Sequence, residues 1–171
     1  TQMKSVGETM SIGRTFKESF QKALRSLETG RAGFGADGKD GAHECLSDAE
    51  LAGELVRPNA QRLFVIRAAF KRGWPLPRIA ELTQIDPWFL GHLEELAAFE
   101  EEIRSARDLG GLQQDRGLFR QAKAFGYSDR QIAFLLAATE TGVRQARESI
   151  GLTPVFNLVD TCAAEFKALT P

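Results

Sequence analysis

Few side chains in this sequence could carry out acid–base, nucleophilic or metal chemistry. It has two histidines, His43 and His92, and two cysteines, Cys45 and Cys162, which form no CxxC or Cys/His metal-ligand spacing. No Gly-x-Ser-x-Gly signature accompanies them, so a nucleophilic triad is hard to assemble. We therefore predict no catalytic residue and no enzyme activity for this chain alone.

A row of carboxylates is the first candidate for metal binding. Glu94, Glu95 and residues 100–102 follow His92 in one predicted helix. Di-metal helix bundles use a Glu-x-x-His motif, whereas the residue three positions before His92 is Phe89. Because the surrounding apolar residues recur at helical spacing, the carboxylates are typical of a solvated helix face, and we predict no metal site.

A glycine-flanked loop near the start resembles a phosphate-binding loop. Five residues separate Gly7 from Gly13, where the motif has four, and Arg14 stands in place of the phosphate-binding lysine. A tight turn before the first helix explains these residues better. We predict no cofactor-binding residue.

The stretch SDRQIAFLLAATETGVRQARESI is similar to a helix-turn-helix, so a nucleic-acid-binding or protein-interaction module is the alternative function. Duplex binding depends on neutralising several phosphates. The basic residues of this stretch are matched by acidic ones: Arg130, Arg144 and Arg147 against Asp129, Glu140 and Glu148. This balance favours helix packing, and we predict no nucleic-acid partner.

Composition indicates an ordinary globular domain. The 171 residues are 43% hydrophobic and 26% charged, and 22 basic residues nearly cancel 23 acidic ones. No apolar stretch approaches the roughly 20 residues that span a bilayer, and no secretory signal is visible. We predict one domain without a membrane partner, located in the cytoplasm, where isolated cysteines remain reduced.

The pattern of apolar residues and helix caps predicts an all-α fold, an irregular multi-helix bundle. Capping boxes at Thr15, Ser47 and Ser128 and the Asp86-Pro87 pair mark helix starts. The predicted helices cover residues 16–28, a short stretch from 47 to Pro58, 60–72, 77–84, 87–107, 115–125, 129–137 and 140–150. Gly110 and Gly111 are predicted to end the longest helix.

Two further expectations concern what is buried. In the longest helix the residues predicted to face inward are Phe89, Leu93, Leu96 and Ile103. In the short helix from 47 to Pro58, one face is predicted to hold Leu51, Leu55 and Val56. Residues 30–45 hold five of the sixteen glycines. This stretch is predicted to be a loop with little to bury.

The sequence contains one internal repeat at an offset of 53 residues. The matching positions are Gly73, Trp74, Ile79, Ala80 and Leu82 in the first copy and Gly126, Tyr127, Ile132, Ala133 and Leu135 in the second. Two related helical units should pack together, because each alone leaves an apolar face uncovered. Only the ends, residues 1–6 and 155–159, are predicted as extended segments.

Three strings resemble one enzyme family along essentially the whole chain. Residues 1–28, TQMKSVGETMSIGRTFKESFQKALRSLE, resemble the end of the first synthetase half of the carbamoyl phosphate synthetase large subunit. LTQIDPWFL at 82–90 is similar to an LTxIDxWFL pattern of that family, and VDTCAAEF at 159–166 is similar to the segment leading to its second half. The start at Thr1 and the stop at Pro171 also suggest a piece of a longer chain.

The resemblance implies a helical oligomerisation domain at 15–154, with 1–14 as the tail of the first, carboxyphosphate ATP-grasp half and 155–171 as a linker toward the second, carbamoyl phosphate half. The family makes carbamoyl phosphate from bicarbonate, ATP and glutamine-derived ammonia for arginine and pyrimidine biosynthesis. Its ATP and Mg²⁺ or Mn²⁺ sites lie in the two halves, not in this domain. The implied partners are those halves, other large subunits and a glutaminase small subunit.

The resemblance also suggests that an oligomer interface lies near the glycine-rich loop and the helix after it. This points to Leu46, Leu51 and Leu55 as interface residues. The same leucines could equally be ordinary core residues.

Overall fold

The computed structural model describes residues 8–156 and confirms the all-α prediction. This part of the chain contains ten helices and no strand. The helices are α1 (Phe16–Ser26), α2 (Gly41–Glu44), α3 (Asp48–Val56), α4 (Arg62–Lys71), α5 (Leu76–Thr83), α6 (Pro87–Ser105), α7 (Leu109–Gln114), α8 (Arg116–Ala124), α9 (Asp129–Leu135) and α10 (Glu140–Ser149). The extended segment predicted at 1–6 lies outside the described residues. Of the one predicted at 155–159, only 155–156 are described, and they form no regular structure.

Local capping determines where several helices begin. Complete capping boxes form at Ser47 with Glu50 and at Ser128 with Gln131. At Thr15 the hydroxyl accepts the Glu18 amide at 3.2 Å, but the Glu18 carboxylate accepts the amide of Arg14 rather than that of Thr15. Asp86 caps α6 by accepting the Trp88 amide at 2.8 Å. These bonds satisfy amides that the first turn of a helix leaves without partners.

The end of the longest helix differs from the prediction. Helix α6 ends at Ser105, and Arg107 adopts the left-handed conformation with φ 69°. Gly110 and Gly111 lie inside α7, a helix that the sequence did not predict. A Cβ at Gly111 would stand 2.2 Å from the Ala106 carbonyl oxygen, so this glycine permits a tight turn between the two helices.

Helix α6 lies at the centre of the fold and packs against α1, α4, α5, α8 and α9. Its buried residues Leu90, Leu93, Leu96, Phe99 and Ile103 join one continuous core. Two predictions are wrong: Phe89, predicted to face inward, is 43% exposed, and Val56, predicted to share a face with the buried Leu51 and Leu55, is 55% exposed. Successive residues on a helix are about 100° apart, so Leu90 and Leu55 take the inward positions beside them.

The repeat predicted from the sequence recurs in the backbone. The Trp74 amide donates to the Ala69 carbonyl at 3.0 Å, and 53 residues later the Tyr127 amide donates to the Ala122 carbonyl at 3.1 Å. Gly73 and Gly126 both have positive φ, at 76° and 87°. The helices α4–α5–α6 and α8–α9–α10 are therefore two copies of one unit, which confirms the predicted pair of helical units.

The prediction that residues 30–45 bury little is wrong. Ala32, Phe34 and Ala36 are at most 4% exposed, and α2 forms within this stretch. The loop runs into the core between α1 and α9, where the buried side chain of Gln21 accepts the Phe34 amide at 2.7 Å and Gln131 donates to the Gly35 carbonyl at 2.9 Å. None of the helices in residues 8–156 has the length and apolar character needed to cross a bilayer.

Candidate association surface

Cys162 lies outside the described residues, and among residues 8–156 the candidates for acid–base and metal chemistry are not assembled into one site. His43 stacks on Phe64 with ring centroids 6.2 Å apart, whereas His92 lies among aromatic rings at the start of α6. Within residues 8–156 no three His, Cys, Asp or Glu side chains are grouped so that they could hold a metal ion.

The carboxylate row on α6 is a solvated face with one exception. Glu94, Glu95, Glu101 and Glu102 are exposed, as predicted. Glu100 is 1% exposed, so the prediction is wrong for this residue. It faces α4, where its two oxygens accept hydrogen bonds from Nε and Nη2 of Arg67, both at 2.7 Å.

Arg67 connects Glu100 to the buried loop. Its Nη1 lies 3.1 Å from Oδ2 of Asp40, and that same oxygen accepts the Ala36 amide at 2.9 Å. Burial lowers the pKa of Arg67, but the hydrogen bond and charge of Glu100 and the charge of Asp40 outweigh it and leave the pKa raised. The guanidinium therefore remains charged inside the fold, and the carboxylates around it are paired with a cation.

Arg31 holds the other side of the loop. Its Nε lies 2.9 Å from Oδ2 of Asp37, Nη2 contacts Asp40, and the guanidinium lies 3.9 Å from the ring centre of Phe64. We call Arg31, Asp37, Asp40, Arg67 and Glu100 the buried ion network. It joins the loop to α4 and α6. Its carboxylates have a structural role, because their oxygens accept hydrogen bonds from arginine side chains and loop amides.

The helix-turn-helix alternative is not supported by the placement of Arg144 and Arg147, two of its three arginines. Arg147 lies 3.0 Å from Asp129, and Arg144 lies 3.1 Å from Glu148. Lys123 joins the first pair at 2.8 Å from Asp129. Charges that are paired within the domain are not free to neutralise a phosphate backbone.

The glycine-flanked loop is a turn that packs on α1 over its described part. Ser11 donates to the Ser19 carbonyl at 2.7 Å, and Lys22 donates to the Ile12 carbonyl at 3.2 Å. A Cβ at Gly13 would stand 2.6 Å from the Ser19 amide nitrogen, which explains the glycine by close packing. Gly7 lies outside the described residues.

The three leucines proposed for an oligomer interface occupy different environments. Leu51 and Leu55 are 0% exposed and fill the core beneath α3. Leu46 is partly buried, packs against the core and precedes α3, next to Cys45, an exposed free thiol. Within this domain Leu51 and Leu55 offer no surface to a partner, so the interface prediction now depends on Leu46.

A second apolar surface was missed from the sequence. Phe16 at the start of α1 meets Trp88, Phe89 and His92 on the first turns of α6, with ring centroids 5.5, 5.3 and 5.4 Å away. We call these four residues the aromatic face. Trp88 is 57% and Phe89 43% exposed. The signal available in the sequence was the adjacent pair Trp88-Phe89, since Leu90 and Leu93 already supply the inward face of this part of α6.

These features define a class: a helical domain with a closed core, apolar surface at its edges and, in residues 8–156, no grouped metal-binding side chains. Comparison with known proteins agrees. Residues 8–151 match the family model described as the carbamoyl-phosphate synthetase large chain, oligomerisation domain. The chain belongs to this family, which confirms the resemblance found in the sequence.

Individual relatives match over the whole chain. It is 53% identical to a carbamoyl phosphate synthase large chain of Rhodopirellula baltica and 49% identical to an arginine-specific, chloroplastic large chain of Oryza sativa subsp. japonica. It is also 46% identical to the N-terminal section of the large chain of Aquifex aeolicus. The chain covers 16%, 14% and 29% of these three relatives, so it corresponds to a small part of each.

Proposed function

We propose that this domain joins and spaces the two synthetase halves of a carbamoyl phosphate synthetase large chain and helps large chains to associate. The observation that supports this most is the match of residues 8–151 to the oligomerisation-domain family. The physical features are consistent with it: a closed core built around α6 and rigid cross-links between distant segments. Such a domain holds its neighbours at fixed positions.

We assign residues 15–154 to this domain, residues 1–14 to the tail of the carboxyphosphate half, and residues 155–171 to a linker toward the carbamoyl phosphate half. Bicarbonate, ATP and glutamine-derived ammonia would be used elsewhere in the parent enzyme, in the cytoplasm, for arginine and pyrimidine synthesis. ATP with Mg²⁺ or Mn²⁺ would bind the synthetase halves, and a glutaminase small subunit would supply the ammonia.

Enzyme activity is the first test of this assignment. The isolated chain should show no bicarbonate-dependent ATP hydrolysis, whereas the intact large chain should. Turnover by the isolated chain at a rate near that of the large chain would contradict the proposal.

The proposed interface near Leu46 is tested by sedimentation of the intact large chain. Leu46→Asp should lower the mass at a given concentration, because a buried unpaired carboxylate opposes association. Val155→Asp adds the same charge at a 65% exposed apolar position after α10, outside the loop and α3, and is the matched control. An unchanged mass in a folded Leu46→Asp chain would remove Leu46 from the interface.

A further inference from the structure

The aromatic face combines large exposed apolar area with fixed geometry. Trp88 and Phe89 meet edge to face at 4.9 Å, and Trp88 meets His92 at 4.4 Å. Asp86 and Pro87 fix the first turn of α6, on which both exposed rings lie. Rigid aromatic side chains lose little conformational entropy on binding and are enriched at the centres of protein interfaces.

The surroundings of the face have the polar border that an interface needs. Lys17 and Glu95 form an ion pair between α1 and α6, one turn or less from Phe16 and His92. The hydrogen bond and charge of Lys17 lower the pKa of Glu95. An apolar centre with a charged edge is the usual arrangement at the contact between two protein surfaces.

The aromatic face lies close to the segment through which the chain enters this domain. Phe16 lies eight residues after Glu8, a stretch that reaches at most about 30 Å when fully extended. Ser11 and Ile12 run back along α1 and are hydrogen-bonded to Ser19 and Lys22, which holds the entry path close to this helix. Met10 and Ile12, 83% and 45% exposed, extend the apolar surface of the entering segment.

We propose that the aromatic face docks onto the part of the same large chain that precedes Thr1. This rests on the proposed function, in which the carboxyphosphate half precedes this domain. A covalently attached neighbour is present at high effective concentration, so a contact of modest area is sufficient. The relative from Aquifex aeolicus that contains the whole of this chain is an N-terminal section, so the domain remains with the preceding part even where the large chain is divided.

The docked surface must offer an apolar recess for the indole of Trp88 and a hydrogen-bond acceptor near its rim. The indole N–H is a donor that is costly to bury without a partner. A second copy of this domain is the competing occupant, and concentration distinguishes the two. An intramolecular contact does not change on dilution, whereas a contact between copies is lost.

The test is hydroxyl-radical footprinting of the intact large chain at several concentrations. Trp88 should be oxidised as slowly as Trp74, which is 6% exposed, and Phe134, which is 50% exposed, should react as an accessible residue. Protection of Trp88 should persist at the lowest concentration. Rapid oxidation of Trp88, or protection that disappears on dilution, would overturn the proposal.

A variant gives a second measurement. Trp88→Ser/Phe89→Ser should accelerate amide exchange of residues 8–15 and expose new sites in the preceding half, whereas Val56→Ser, another exposed apolar position, should do neither. Sedimentation is recorded in parallel, because the proposed association of large chains does not depend on this face. A lower mass without faster exchange would assign the face to a second copy and overturn the docking proposal.

Discussion

At the scale of single residues, this domain places charge where a helix bundle usually has apolar side chains. Arg67 is 3% and Glu100 is 1% exposed, yet the pair is bidentate and linked to Asp40. Helical periodicity assigned Glu100 to the solvated face with its neighbours, because the pattern of one helix contains no information about a partner on another. The pairing of positions 67 and 100 could not be read from local sequence.

Breaking this pair should destabilise the domain strongly. We expect Arg67→Met to cost about 3–5 kcal/mol, because it removes the bidentate partner of buried Glu100 and leaves only Lys71, 3.4 Å away, as a nearby cation. Arg144→Met, at an exposed pair with Glu148, should cost about 0.5 kcal/mol or less. Urea unfolding measures both. Equal losses in the two variants would show that Glu100 is solvated and that the buried ion network does not form.

Two glycines with similar backbone angles should respond differently to alanine. Gly35 has φ 83°, and a Cβ there would stand 2.4 Å from Nε of Arg67; Gly73 has φ 76° and nothing within 4 Å of its Cβ position. Gly73→Ala should cost about 1–2 kcal/mol for the left-handed backbone alone. Gly35→Ala should cost more, because the added methyl group displaces Arg67. A smaller loss at Gly35 than at Gly73 in thermal unfolding would contradict the close approach of the loop.

Asp129 should make stability depend on acid pH. Burial raises its pKa, but hydrogen bonds and charges from Lys123 and Arg147 outweigh this and leave the folded-state pKa below its usual value. Its contribution is therefore present above the unfolded pKa of about 4 and is lost as pH falls through the folded pKa. Asp129→Asn should cost about 1–2 kcal/mol at pH 7 and less at pH 3. Urea unfolding at both pH values measures this cost. If the variant loses the same free energy of unfolding at pH 7 and pH 3, the ion pairs of Asp129 are contradicted.

At the scale of elements, helix starts are the most predictable feature, since a cap is a contact between residues two or three positions apart. The starts of α1, α3, α6 and α9 follow from Thr15, Ser47, Asp86 and Ser128. Elements set by distant contacts were predicted wrongly or missed. The glycine-rich loop is ordered by Gln21 and Gln131, which are 110 residues apart in sequence and 3.3 Å apart in space. Gly110 and Gly111, predicted to end a helix, are part of α7, and the turn from α6 leaves no room for a Cβ at Gly111.

Helix α3 contains a glycine without a structural reason. Gly53 lies in the interior of the helix, and a Cβ there meets nothing within 4 Å. Gly53→Ala should raise the free energy of unfolding by about 0.5–1 kcal/mol, because alanine loses less backbone entropy in a helix. Denaturant unfolding measures this gain. A loss of stability would contradict the open space around Gly53, because it would require a neighbour that clashes with the added methyl group.

At the scale of the whole molecule, the class and the family could be predicted, whereas the aromatic face could not. Apolar periodicity and the 53-residue repeat indicated two helical units, and α4–α5–α6 and α8–α9–α10 are those units. The resemblance points to interface leucines only by their position along the chain, and two of them, Leu51 and Leu55, are fully buried. The exposed face of α6 cannot be predicted without knowing which side of the helix α1 covers, and this depends on the tertiary structure.

The central claim is that this domain lets large chains associate, and the mass of the 171-residue chain in solution across concentration tests it most directly. The measurement is made with Trp88→Ser/Phe89→Ser, so that the aromatic face, uncovered in this piece, cannot cause adventitious association. We predict that the sedimentation mass rises from that of one chain toward a multiple of it as concentration increases. A monomer mass at every concentration would contradict the claim and leave the domain as a spacer alone.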